Sequence, residues 1–167
     1  FYGGVGHVCV DYGKVLDIGF TGIIKQVIET MEKLDTSDPE YIKKKNFYEA
    51  IVITYTAAIN FAHRYAAKAR EMAASCPDPV LQIAANCDRV PERGATNFYE
   101  ACQAFWFVQI LLQIEANGHS ISPGRFDQYM YPYLAMDKSI SKEFAQELVD
   151  CIWVKLNDVN KTRDEIS

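Results

Sequence analysis

Hydrophobic positions in this chain recur mainly at spacings of three and four, the period of an amphipathic helix. Residues 1–12 are the exception. They are Gly-rich and then apolar at Val8 and Val10, and read as extended or irregular. A first helix is predicted over residues 14–34. Gly19 and Gly22 weaken it, and glycines at such positions often mark close approach of another backbone. Ser37-Asp38-Pro39-Glu40 reads as a helix start, with Ser37 as cap, Glu40 closing the capping box and Pro39 in the first turn. That helix should reach about residue 74, with Phe47, Ile51, Tyr55, Ala58, Ala62 and Tyr65 as its apolar stripe. Cys76-Pro77 ends it, and Asp78-Pro79 starts a short helix that stops before Val90-Pro91.

The most apolar stretch follows. Thr96 is a candidate cap for a helix over residues 97–116, terminated at Asn117-Gly118. Only Gln109 and Gln113 interrupt its apolar run from Ala104 to Ile114, so burial on every side is expected. In a chain this short, that profile calls for a larger surrounding body. A short helix is predicted over residues 125–133. Ser141 caps a last one, with Phe144, Leu148, Ile152 and Leu156 on one face. No repeat, low-complexity tract or sheet-forming strand is visible. The expected fold class is mainly α, packed helices, one domain for 167 residues.

Composition narrows the function. Hydrophobic residues at 49% and charged residues at 23% exclude a disordered chain. A net charge of -5, with no basic run longer than Lys43-Lys44-Lys45, excludes the usual nucleic-acid footprint. The apolar run is too short for a bilayer, so no membrane partner is expected. No secretory leader pattern is seen, and the opening Phe1-Tyr2-Gly3-Gly4, without Met, reads as cut from something longer. The cysteines are Cys9, Cys76, Cys87, Cys102 and Cys151, an odd and widely spaced set without a C-x-x-C pair. They support neither a metal nor a redox motif, and a reducing cytoplasmic compartment fits. Cys102 and Cys151 fall on apolar helix faces and should pack as small hydrophobes.

Chemistry concentrates in two places. Gly3-Gly4-Val5-Gly6-His7 lacks a third glycine at the spacing, and the strand-to-helix context, of a dinucleotide fingerprint. His7 after such a loop can donate a hydrogen bond in a pocket; the alternative is an ordinary satisfied histidine. The second place runs from Asn117 to Tyr129, where a buried helix delivers a polar cluster. His119 and Ser120 both donate and accept, and together can hold a hydroxyl or carbonyl oxygen. The alternative is a polar cap and connector. Arg125 and Asp127 read as a structural pair fixing the turn, and His63 has no assigned role. A hydrolase using His119 and Ser120 would need a further His or acid from afar.

The run Asn117-Gly118-His119-Ser120-Ile121-Ser122-Pro123-Gly124-Arg125-Phe126-Asp127-Gln128-Tyr129, then Tyr131-Pro132-Tyr133, closely resembles a segment of the glycyl-radical enzymes, the pyruvate formate-lyase-like family. So do Gly6-His7-Val8-Cys9-Val10-Asp11-Tyr12-Gly13-Lys14, Phe61-Ala62-His63-Arg64-Tyr65-Ala66 and Phe98-Tyr99-Glu100-Ala101. The likeness covers nearly the whole chain in order and leans toward the glycerol/diol dehydratase and choline trimethylamine-lyase branch. It implies that residues 1–167 are one helical piece of such a domain, part of the outer helices of a ten-stranded α/β barrel. The whole enzyme would be a dehydratase or lyase of anaerobic metabolism and a homodimer, acting on a small polar substrate. An S-adenosylmethionine iron–sulfur activating enzyme would install its glycyl radical, which passes to a cysteine that abstracts hydrogen from the substrate. His7, His119 and Ser120 would contact substrate hydroxyls. The family's Gly-Cys-x-Glu and Arg-Val-x-Gly-Tyr motifs do not occur here, so no catalytic residue, bound cofactor or metal is expected in this chain. Residues 78–91 look shorter than in typical relatives. The rival reading is a non-catalytic helical module for partner binding or assembly.

Overall fold

Helix follows helix along this chain because its apolar side chains repeat with a helical period and its Gly, Pro and Asx residues stand between the repeats. In a computed structural model, which describes residues 6–75, 77–116 and 120–159, six helices form among the described residues. They are α1 (Tyr12–Met31), α2 (Tyr41–Met72), α3 (Pro77–Arg89), α4 (Phe98–Ala116), α5 (Phe126–Met136) and α6 (Lys142–Val159). Strand pairing among them is limited to one isolated parallel bridge, Val8 with Ile121. The mainly α class is as expected. The helices group into two compact units, Lys14–Ala95 and the combination of Phe1–Gly13 with Thr96–Ser167.

In the Lys14–Ala95 unit, α1 bends at Gly19, whose φ of 66° and ψ of 177° are not helical. The backbone of residues 91–95 lies in the bend. The amides of Phe20 and Thr21 donate to the carbonyls of Pro91 (2.8 Å) and Glu92 (3.0 Å), and Ala95 N–H donates to Leu16 (2.8 Å). A Cβ on Gly19 would stand 2.5 Å from Arg93 Cα. Gly19 therefore marks a close backbone approach, as expected. Gly22 does not, because the nearest atoms a Cβ there would meet belong to the Ile18 side chain.

The start of α2 differs from expectation. Ser37, Pro39 and Glu40 lie in the preceding turn, and Glu40 at the N-cap makes no side-chain cap bond. Carboxylates organise the turn instead: Asp35 accepts from Ser37 N–H and Asp38 from Glu40 N–H, each at 2.8 Å. A carboxylate is the stronger acceptor and outcompetes the Ser37 hydroxyl, which itself donates to Asp35. The buried stripe also shifts. Ala58, Ala62, Ala66 and Ala69 are buried, whereas Phe47 and Tyr65 are exposed. Small alanines let α3 pack against this half of α2, burying Ala84 and Cys87. His63 pairs with Glu92, Nε2 to Oε2 at 2.8 Å.

In the other unit, α5 and α6 pack against α4. The α4 cap is Asn97, not Thr96: Asn97 Oδ1 accepts from Glu100 N–H at 2.9 Å. Thr96 instead donates to Glu100 Oε2 through its amide (2.7 Å) and its hydroxyl (2.8 Å). Phe98, Ala101, Ala104, Phe105 and Phe107 are buried around the helix, while Ile114 near its end is exposed. Ser141 does cap α6, its Oγ accepting from Phe144 N–H at 3.1 Å. Ala145 and Ile152 are its buried residues. Cys102 is buried as expected; Cys151 is exposed, against expectation. No described helix is long and apolar enough to cross a membrane.

Candidate functional site

Residues 7–10, ahead of α1, and residues 120–124, ahead of α5, run side by side. Val8 pairs with Ile121 in the parallel bridge, and Ser122 N–H donates to Val8 O at 3.0 Å. The residues just before the bridge partners are His7 and Ser120, so the register sets these two next to each other. Both are exposed. Both also have left-handed backbone, φ 56° for His7 and 52° for Ser120, and no other described non-glycine residue does. Side chains rarely accept that conformation, and it concentrates at functional sites. His119, the third residue expected here, lies outside the described residues, as do Asn117 and Gly118.

The loop after Ser120 is fixed by its own polar groups. Gly124 N–H donates to Ser122 Oγ at 3.1 Å. Gly124 has φ 63°, and a Cβ there would fall on Cys9 Sγ, so glycine is required for the two segments to close up. Arg125 and Asp127 form the expected pair, Nε to Oδ1 at 3.2 Å and Nη2 to Oδ2 at 3.1 Å. Arg125 holds the Asp127 carboxyl below its ordinary range.

The helix ends that adjoin the paired segments share an aromatic cluster. The Tyr12 ring centroid is 5.0 Å from that of Phe105 and 5.5 Å from that of Tyr129, the latter pair stacked; Phe126 meets Phe105 edge-on at 5.1 Å. The Tyr12 hydroxyl donates to Gln109 Oε1, and the Tyr129 hydroxyl donates to Pro123 O at 2.7 Å. Burial pushes both phenols well above their ordinary range, so both stay protonated and act as donors. Tyr12 and Gln109 are wholly buried. Sequence reasoning did not single out Tyr12, Gln109 or Tyr129. The usable signal was Gln109 and Gln113, two amides four residues apart in an otherwise apolar helix.

Chemically, the paired segments carry an imidazole and a hydroxyl on exposed residues, with a partly buried aromatic cluster alongside. That arrangement suits gripping the oxygens of a small polar molecule. No group of three or more His, Cys, Asp or Glu among the described residues is arranged to hold a metal ion. The pyruvate formate lyase-like family profile matches residues 1–167, the full length given. The chain belongs to that family. Among solved structures, the glycerol-bound B12-independent glycerol dehydratase from Clostridium butyricum superposes with a TM-score of 0.92 at 55% identity, over 99% of this chain and 22% of that one. A structure of 1,2-propanediol dehydration in Roseburia inulinivorans gives 0.93 at 53% identity, over 98% and 22%. The (2S)-3-sulfopropanediol dehydratase of Klebsiella oxytoca is 40% identical over 172 residues, 98% of this chain and 21% of that enzyme. The chain thus spans about a fifth of the length of the relatives it matches.

Proposed function

We propose that this chain is a helical piece of a glycyl-radical dehydratase acting on a small vicinal diol, and that it supplies part of the substrate grip. The carrying observation is the Val8–Ile121 bridge, which sets His7 and Ser120 side by side on left-handed backbone. The likeness at 53–55% identity to diol-dehydrating enzymes supports the substrate class. His7, His119 and Ser120 hold the substrate hydroxyls and orient one C–H toward the radical cysteine, which belongs to the rest of the parent chain. The thiyl radical supplies hydrogen abstraction, and a separate S-adenosylmethionine-dependent enzyme installs the parent glycyl radical. Here the contribution is orientation: a polar grip fixes which bond is presented.

The test is to express the full-length parent with its activating enzyme without oxygen, record the glycyl radical by electron paramagnetic resonance, and assay aldehyde formation from glycerol and propane-1,2-diol. His7→Ala and Ser120→Ala should each lower kcat/KM by about ten-fold or more, the worth of one hydrogen bond to a substrate oxygen. A parent that carries the radical yet dehydrates no small diol would sink the substrate assignment. Variants as active as the wild type would sink the site.

A further inference from the structure

We propose that the buried Tyr12–Gln109 hydrogen bond sets the register of the 6–10 segment against the 120–124 segment, making Tyr12 and Gln109 positioning residues for His7. The inference rests on the functional reading above. Between the two segments, the backbone pairing among the described residues is one isolated bridge, in which Ser122 N–H donates to Val8 O. A pairing that short specifies its register weakly, and a slip of one residue would take His7 out of its place beside Ser120.

Tyr12 supplies what the bridge lacks. It lies five residues after His7, at the start of α1, and its two partners precede and follow the second segment in the chain. Its hydroxyl donates to Gln109 on α4, the helix that leads into Ser120. Its ring stacks on Tyr129, whose hydroxyl donates to Pro123 within the 120–124 loop. Packing alone does not account for the polar pair. A Phe and an aliphatic residue would fill the same space, whereas Gln109 leaves its Nε2 buried without a hydrogen-bond partner among the described residues. A buried amide half satisfied costs stability; what it adds is a directional contact that only one register makes.

The experiment uses the activated full-length parent, with propane-1,2-diol as probe, and the variants Tyr12→Phe, Gln109→Met and His7→Ala alone and combined. Tyr12→Phe keeps the ring stack and removes only the hydroxyl. It should lower kcat/KM by about ten-fold in the wild type, yet by less than about two-fold when His7 is already Ala, because its effect runs through His7. A merely structural role would give the same loss in both backgrounds and would overturn the proposal. A second readout needs no turnover. Amide exchange at Ser122, followed in its shortest peptic peptide, should quicken by about ten-fold in Tyr12→Phe and Gln109→Met, and unchanged exchange would overturn the register role. Should the wild-type parent fail to dehydrate the diol, the functional reading falls while the exchange result still decides the register.

Discussion

Replacing Gly19 by Ala isolates how a single missing side chain holds the Lys14–Ala95 unit together. Gly19 sits at φ 66° and ψ 177°, a region open almost only to glycine. Adopting it with a Cβ costs about 1–3 kcal/mol. The new methyl would also stand 2.5 Å from the Cα and carbonyl carbon of Arg93, which are backbone atoms and cannot rotate away. Forced overpacking of that kind adds about 1–3 kcal/mol. The sum, about 2–6 kcal/mol, should fall locally on the two bonds that straddle the bend, Phe20 N–H to Pro91 O and Thr21 N–H to Glu92 O. Hydrogen exchange at those amides in the full-length parent reads it directly. At the low end of the range, exchange should speed up about 30-fold, since each 1.4 kcal/mol is a factor of ten. Gly13→Ala is the control: a Cβ there has its nearest neighbours at 3.5 and 3.7 Å, ordinary contact, and exchange around it should stay unchanged. If Gly19→Ala leaves the Phe20 and Thr21 amides protected within about three-fold of wild type, the close-approach reasoning is wrong.

Gly124→Ala should raise KM for the diol because its methyl displaces Cys9 and opens the paired segments; adding Cys9→Ala should restore part of the loss, and no restoration would refute the steric cause. Asn97→Ala should destabilise α4 by about 1 kcal/mol in urea unfolding, as for lost N-caps, while Thr96→Val should leave the Asn97 cap bond intact. Burial pushes the Cys102 thiol up to about 12 and the Cys87 thiol up to about 11, so iodoacetamide at pH 8 should label exposed Cys9 and Cys151 and spare these two. The folded state holds those two protons longer than the unfolded one. Their contribution to stability is therefore complete below pH 9 and is lost as pH rises from 9 toward 11 and 12, a decline that thermal melts across that range should follow.

Helix number, order and type were legible in the sequence because they follow from short-range causes: apolar spacing within a helix and Gly, Pro or Asx chemistry at its ends. The Ser141 cap, the Gly19 approach and the Arg125–Asp127 pair all rest on residues near in sequence or on a glycine with one evident use. The caps at Ser37 and Thr96 were misread because two candidates stood within reach of the same amides. Asp35 and Asp38 won one site through charge, and Asn97 won the other through position. The stripe on α2 was misread for a different reason. Periodicity locates a face but not which half of a long helix finds a partner, and α3 covers the alanine half.

The site divides the same way. Glycine spacing and the polar cluster after α4 marked His7 and Ser120 as candidates, and the family resemblance implied their role toward substrate. Their adjacency across more than a hundred residues, their shared left-handed backbone and the Tyr12–Gln109 bond that ties their segments emerged only in three dimensions. A sequence records which groups can donate, accept or pack; which pairs meet is decided when the helices close over one another and each buried polar atom has to find its partner.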